Sequence, residues 1–455
     1  MTNRKRAVFG WCMYDWANSA FATTILAAIL PVYFASLVPE EGIIVPCGPM
    51  SFRTTASALW AYGISFSLLL TALTAPILGA LADFSSSKKR FLLAFTYTGA
   101  TLTSLLFFVG DGDYWLCLAL FVAANIGFAG SMTFYNAFLP EVAGEGEMDS
   151  VSGKGYAFGY IGGGLLLALH VVMITYHESF GIPDKSMSIR ISLASVGLWW
   201  GLFAIPLFVG VPEARRLRSK PEGFSYFTYG LSRFLKTLRS FRRYPDLLWF
   251  LAAFLVYNDG IQTVIAMAAI FGKTALGLDT GTLIGTLLMT QFIAWPGALV
   301  FARLAERIGS KAAIMITLLL WIVIVTYAYF LKSALEFWIL GGLVGLVLGG
   351  SQAISRSLYA RLIPRARPAE FFGFFTISAK FASIFGPLIF GLMTDLSDNP
   401  RNAILSLVLF FVVGMIMLCR VDADSRLVNS LYGVQERTGL SKTILYKSEI
   451  RSTKS

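Results

Sequence analysis

Charge is what this sequence has least of. Only 14% of its 455 residues are Asp, Glu, Lys or Arg, against about 25% in a soluble globular domain, while 56% are apolar. That balance excludes a water-soluble protein. Histidine is scarcer still: His170 and His177 are the only two, too few for a catalytic triad or a histidine metal cluster. The four cysteines, Cys12, Cys47, Cys117 and Cys419, follow neither a metal-binding nor a disulfide spacing. No Asn-x-Ser/Thr sequon occurs, which favours a bacterial membrane over a secretory one. Gly272-Lys273-Thr274 has Met267 where a phosphate-binding loop needs its first glycine, so no nucleotide-driven engine is visible. No enzyme activity, metal or cofactor is expected.

What is present is long apolar runs. A membrane-crossing helix needs roughly 20 residues, and the runs with their polar breaks predict twelve. These lie near 12–38, 57–82, 91–109, 114–138, 155–176, 190–210, 248–271, 281–303, 312–331, 336–358, 371–394 and 402–420. An even count puts both chain ends on one face. Of the 37 Lys and Arg, 29 fall on that terminal face, 6 on the other and 2, Arg356 and Lys380, within spans. Cytoplasmic loops carry the positive excess, so both termini are expected in the cytoplasm. The net charge of +11 is thereby a topology signal, and nucleic acid is not an expected partner.

The predicted organisation is a six-helix bundle over 1–210, a basic cytoplasmic linker over 211–247, a second six-helix bundle over 248–420 and a basic tail over 421–455. The linker interleaves its Arg and Lys with Phe224, Tyr226 and Phe227, as an amphipathic helix on anionic lipid does. The first span has no small-residue cleavage site and reads as a retained anchor.

The two bundles repeat each other. Residues 81–88 (LADFSSSK) match 304–311 (LAERIGSK) at an offset of 223, and 135–140 (YNAFLP) match 359–364 (YARLIP) at 224. Ser152-Gly153-Lys154 matches Ser378-Ala379-Lys380 at 226, and Tyr14-Asp15 matches Asn258-Asp259 at 244, the excess being a longer outer loop, 39–56. Two parallel repeats of six spans suit alternating access, because two similar bundles can rock about a site held between them. A monomer suffices for that.

Gly79-Ala80-Leu81-Ala82-Asp83 with Lys88 resembles the loop signature of the major facilitator superfamily, although Phe84 replaces a base and Ser86 a glycine, and Ala302 replaces the leading glycine in the second half. Three further stretches are similar to one branch of it: Tyr14-Asp15-Trp16-Ala17-Asn18-Ser19-Ala20 with Pro31-Val32-Tyr33-Phe34, Tyr257-Asn258-Asp259-Gly260-Ile261-Gln262-Thr263, and Gly350-Ser351-Gln352-Ala353-Ile354-Ser355-Arg356-Ser357. That branch is typified by the autophagy-related vacuolar amino-acid effluxer of fungi and includes uncharacterised bacterial relatives. The resemblance implies an all-α membrane protein of twelve transmembrane helices in two pseudo-repeats. It implies amino-acid efflux for the fungal members and a transporter of unstated cargo for the bacterial ones. It also implies that Gly79, Asp83 and Lys88, with Glu306, Arg307 and Lys311 in the second half, gate one conformer by pairing loop acids with neighbouring helix ends.

Ionisable groups inside a bilayer are costly and usually face the bundle interior. Asp15, Asp259, Lys154 and Lys380 are therefore coupling candidates. At roughly 1.5 Å per residue, Asp259 lies about 18 Å beyond Leu247, near the midplane. It is the candidate for proton exchange, with a fixed pair to Lys154 or Lys380 as the alternative. The spans that line the cavity in the superfamily carry Tyr14, Asn18, Asn125, Tyr135, Asn136, Asn258, Gln262, Ser351, Gln352, Ser355 and Arg356. Amides and hydroxyls suit a small zwitterion that needs donors and acceptors, and Arg356 suits its carboxylate. The expected function is secondary active transport of a small polar organic solute in a bacterial inner membrane, led by amino-acid export. Uptake of another solute, or a non-transporting sensor or scaffold on the same fold, are the alternatives.

Overall fold

The computed structural model describes residues 3–39, 41–47, 50–144, 146–213, 244–365, 367–381, 385–397 and 400–422. The expected amphipathic linker helix and nearly all of the expected tail lie outside the described residues. In the first half, α1 (Asn3–Ala20) runs into a π-helical stretch, Phe21–Ala28, and then α2 (Leu30–Leu37), bent from it by 42°. Pro31 at the start of α2 has no N–H to continue the ladder. A hairpin, β1 (Ile43–Cys47) and β2 (Met50–Thr54), follows in the long outer loop and is the one departure from an all-helical chain among the described residues. Then come α3 (Ala56–Ser85), α4 (Lys88–Leu105), α5 (Tyr114–Ala137), the short α6 (Leu139–Val142), α7 (Met148–Thr175) and α8 (Lys185–Gly210).

The second half comprises α9 (Pro245–Leu276), α10 (Thr280–Ile308), α11 (Ser310–Phe330), α12 (Ala334–Leu362), α13 (Pro368–Phe381), α14 (Phe385–Ser397), α15 (Pro400–Ser406) and α16 (Val408–Cys419). Ten helices are long and apolar enough to cross a membrane, and the bent α1–α2 pair makes an eleventh. The pair α13 and α14, on either side of residues 382–384, coincides with the eleventh of the twelve expected spans, which is consistent with that count.

Several helices overrun their predicted spans at the terminal face. The fifth begins at Met148 rather than 155, and the tenth ends at Leu362 rather than 358. Hydropathy marks where lipid stops, but these overruns carry charges that are satisfied by protein. Helix starts differ between the two faces in the same way. On the outer face α3, α8, α10 and α12 are capped by their own preceding residues Thr55, Asp184, Asp279 and Ser333. At the terminal face, an orphan amide in the first turn of α13, Glu370 N–H, donates to Asp83 of the other half at 2.9 Å. The first kind of cap is permanent, whereas the second exists only while the halves touch.

Candidate functional site

The halves meet where α7 packs on α10 and α12 and where α3 packs on α13, with α1 and α5 beside them; α7 and α12 run antiparallel. Both ends of the described chain lie at the surface end of this seam, on the terminal face: Arg4 pairs with Glu147 at the start of α7, and Asp422 N–H donates to Asp246 at the start of α9.

The outermost layer is built on Asp149, which is fully buried. Its carboxylate accepts hydrogen bonds from Ser310 at 3.1 and 3.0 Å, from Ser357 and from the Arg361 guanidinium, all of the second half. Arg361 also donates to Ser310 at 2.8 Å. Beside it Asp83 caps α13, and Gly79 allows the approach: a Cβ there would sit 2.4 Å from the Ala369 carbonyl oxygen.

About one helical turn deeper lies Arg356, 1% exposed. A guanidinium has five N–H donors, and five contacts to the first half use them. Nη1 and Nη2 each reach Asp15 Oδ2 at 3.1 Å, Nε reaches Ser152 Oγ at 2.9 Å, Nη2 the Ser152 carbonyl at 2.9 Å, and Nη1 Asn136 Oδ1 at 3.4 Å. Three rings surround the cation, with centroids 4.1 Å (Tyr156), 4.7 Å (Trp11) and 5.7 Å (Tyr135) away. Ser152 Oγ in turn donates to the Ala353 carbonyl at 2.7 Å. Deeper still, Tyr160 donates to Gln352 at 2.9 Å and the Thr133 and Thr376 hydroxyls meet at 3.0 Å. From Asp149 to Tyr160 the sealed seam spans about 16 Å along α7, at 1.5 Å per residue.

The expected binding residues divide into three groups. Arg356, Asn136 and Gln352 are engaged across the seam. Tyr14, Ser351 and Ser355 are committed within their own halves: Tyr14 hydrogen-bonds Thr96 at 2.6 Å, Ser351 accepts from Trp321 at 2.9 Å and Ser355 meets Tyr257 at 2.6 Å. Tyr135 stacks between Trp11 and Tyr14 and faces Arg356 across the seam, while its hydroxyl is buried without a partner among the described residues. The rest keep polar capacity. Asn18 Nδ2 and Asn125 Oδ1 are buried without a partner among the described residues, although Asn125 Nδ2 donates to Ser67 at 2.7 Å. Asn258 makes only a long 3.5 Å contact to the Ala379 carbonyl, and Gln262 is half-buried.

The coupling candidates separate as well. Asp15 is the carboxylate of the Arg356 pair. Asp259, 1% exposed, accepts from Gly386 N–H at 2.9 Å in the first turn of α14, while its Oδ2 has no partner among the described residues. At the repeat offset of 224, the first-half counterpart of Arg356 is Met132, so the repeat supplies Asp259 with no arginine matching the one that Asp15 meets. Lys154 does not join Asp259: it is exposed, on the same stripe of α7 as exposed Leu165 and Leu169. Lys380 lies in α13 with its side chain outside the described residues.

The expected gate is asymmetric. Asp83 and Gly79 lie in the seam, and Lys88 pairs within the first half with Glu141. Glu306 and Arg307, expected to mirror them, are exposed and are not brought to the seam, because Asp149 serves the equivalent junction instead. Lys311 binds the Cys419 and Val421 carbonyls at 2.8 and 2.7 Å, closing the end of α16 in its own half. Asp83→Ala, which removes the acceptor for Glu370 N–H, should therefore raise terminal-face accessibility of a cysteine placed at Ala369 severalfold, whereas Glu306→Ala should leave it unchanged. Equal effects of the two substitutions, read by thiol-labelling rates, would contradict this asymmetry.

Sequence reasoning missed Asp149, Trp11, Tyr156 and Arg361. Asp149 carried one signal: at the 226 offset its counterpart is Phe375, so it is a carboxylate unmatched in the repeat.

Over 92% of its length the chain matches the solved structure of the transporter FucP in its outward conformation, covering 98% of that chain with a TM-score of 0.68 at 14% identity. It likewise covers 100% of a human organic anion transporter, MFSD10, with a TM-score of 0.65 at 15% identity. These likenesses show that the fold is that of major facilitator superfamily transporters. The family described as vacuole effluxer Atg22 like matches residues 3–148 and 145–430, and the chain belongs to it. An uncharacterized MFS-type transporter of Bacillus subtilis, YxiO, is 34% identical over 417 residues, 91% of this chain and 94% of that relative. Autophagy-related protein 22 of Kluyveromyces lactis is 26% identical over 468 residues, 92% of this chain and 94% of that relative.

Proposed function

We propose that the chain exports a small polar organic solute, amino acids or similar compounds first, across a bacterial plasma membrane, with both termini in the cytoplasm. The observation that carries this reading is the placement of the seam. Each cross-half hydrogen bond described above falls in the half of the molecule nearest the chain ends. A bundle pair sealed at one end is one of the two conformers that alternating access requires, here the one closed to the cytoplasm. The excess of Lys and Arg on that face supports the orientation. Asn18, Asn125, Asn258 and Gln262 hold the polar capacity that cargo needs.

Counterflow in proteoliposomes with a panel of labelled amino acids, peptides and polyamines tests the reading. Exchange of at least one class against an unlabelled internal pool is expected. No exchange by a folded, reconstituted protein would turn the reading toward a sensor or scaffold.

Proton coupling belongs to Asp259 in this reading. Its Oδ2, without a partner among the described residues, is a place for a proton, and desolvation favours the neutral form of a carboxyl while water in an opened cavity favours the charged one. Asp259→Asn keeps the acceptor for Gly386 N–H, so the fold should persist. The variant should lose pH-gradient-driven accumulation roughly completely yet retain exchange at equal pH. Accumulation in response to a pH step by the folded variant would move coupling elsewhere.

A further inference from the structure

The pocket that holds Arg356 belongs entirely to the first half. Asp15 and Trp11 come from α1, Tyr135 and Asn136 from α5, and Ser152 and Tyr156 from α7. Bonds within that half fix its walls. Trp11 Nε1 donates to the Tyr135 carbonyl at 3.1 Å, Trp11 and Tyr135 stack at 4.7 Å, and Tyr14 stacks on the far side of Tyr135 at 4.8 Å. Gly155 leaves the space: a Cβ there would lie 2.5 Å from Asp15 Oδ2 and 2.9 Å from Arg356 Nη2. The bonds and stacks of Trp11, Tyr135 and Tyr14 do not require the second half, so these walls persist when α12 withdraws and takes Arg356 with it.

What remains then is a carboxylate at the base of an aromatic box, with an amide oxygen and a backbone carbonyl as further acceptors. That set is chemically specific. A carboxylate with aromatic faces within about 6 Å attracts organic cations through charge and through the ring quadrupoles, and acceptors without a competing fixed cation suit a group rich in N–H. A ligand stabilises the state that it binds, so the opened state is favoured by any cation able to take the vacated place beside Asp15.

We propose that this pocket binds the cationic group of the cargo, a guanidinium or primary ammonium, and that Arg356 is a tethered stand-in for it. The inference rests on the transporter reading and names its substrate class: guanidino and amino compounds such as arginine and agmatine, in preference to neutral amino acids. In the cytoplasm-open state the cargo cation sits on Asp15 among Trp11, Tyr135 and Tyr156. As the seam closes, Arg356 returns to the same five acceptor contacts and displaces the cargo toward the outer side. Cargo and seam closure are then mutually exclusive at one carboxylate, so closure requires the cargo cation to leave Asp15, while the solute gradients set the net direction.

Two measurements test it. In proteoliposomes of the full chain, labelled agmatine should undergo counterflow and should outcompete leucine, and Asp15→Asn should reduce agmatine exchange at least ten-fold. Separately, purified Arg356→Ala protein has the pocket vacant, so millimolar methylguanidinium chloride should raise its melting temperature relative to the same concentration of sodium chloride. The double variant Arg356→Ala/Asp15→Asn should show no such rise. Leucine exchange with agmatine neither carried nor competing would overturn the proposal while leaving the transporter reading intact. Methylguanidinium stabilisation without counterflow of any solute would support the pocket and sink the transporter reading. Equal melting of the single and double variants in methylguanidinium would overturn the pocket; should Arg356→Ala fail to fold, agmatine counterflow by the unmodified chain decides.

Discussion

Arg356→Ala should shift the protein toward the state open on the terminal face by at least about a hundred-fold. Removing one partner of a buried ion pair costs about 3–5 kcal/mol, because the other charge is left uncompensated, and each 1.4 kcal/mol is a factor of ten. The cost falls on one conformer only. Asp15 is 4% exposed in the sealed seam but hydrated once the halves separate, so the substitution biases the equilibrium rather than the fold. Ala353 is fully buried beside the seam, and a cysteine there, in a background with exposed Cys419 replaced by serine, should react far faster with an impermeant maleimide applied from the terminal face. The double variant Arg356→Ala/Asp15→Ala, which removes both charges, should recover most of the protection. An unchanged labelling rate in the single variant would mean that the pair does not hold the seam.

The second large effect is expected at Gly79. A methyl group there meets the Ala369 carbonyl oxygen at 2.4 Å and its carbon at 2.7 Å, both backbone atoms of the opposite half, so no side-chain rotation relieves the clash. Overpacking of this kind typically costs about 1–3 kcal/mol, again only while the seam is closed. In α3 itself alanine is the better helix former. Gly79→Ala should therefore open the seam about ten-fold or more, by the same labelling measurement, without loss of expression. Gly391→Ala, where nothing lies within 4 Å, is the control and should be silent. Equal behaviour of the two would mean that α3 and α13 do not approach as described.

The spans, the repeat and Asp83 were legible because each is a local pattern: a run of apolar residues, a repeated loop, an acid at a helix end. Arg356 and Asp15 were visible as charges inside spans, but their pairing was not, since 341 positions separate them and no periodicity joins them. Asp149 was hidden for a different reason. It lies in a polar stretch at the hydropathy edge, where an acid reads as solvated, and its partners Ser310, Ser357 and Arg361 come from two distant helices. The repeat itself misled at one point. It matched Lys88 with Lys311, yet Lys311 and Lys89 are the second residues of α11 and α4. Both cap a neighbouring helix end, Lys311 as described and Lys89 through the Val211 carbonyl at 2.7 Å. The first-half turn is one residue longer, with Ser86 in the left-handed region at φ 48°, so alignment by letter paired the wrong lysine.

Under the proposed function, the terminal-face seam opens and closes in each transport cycle. Thr133 and Thr376 lie on opposite halves with hydroxyl oxygens 3.0 Å apart, close enough for cysteines at both positions to form a disulfide after small adjustment. With the native cysteines removed, oxidation of the Thr133→Cys/Thr376→Cys protein should abolish counterflow in proteoliposomes, and reduction should restore it. Counterflow at the unmodified rate through a fully cross-linked protein would contradict the account.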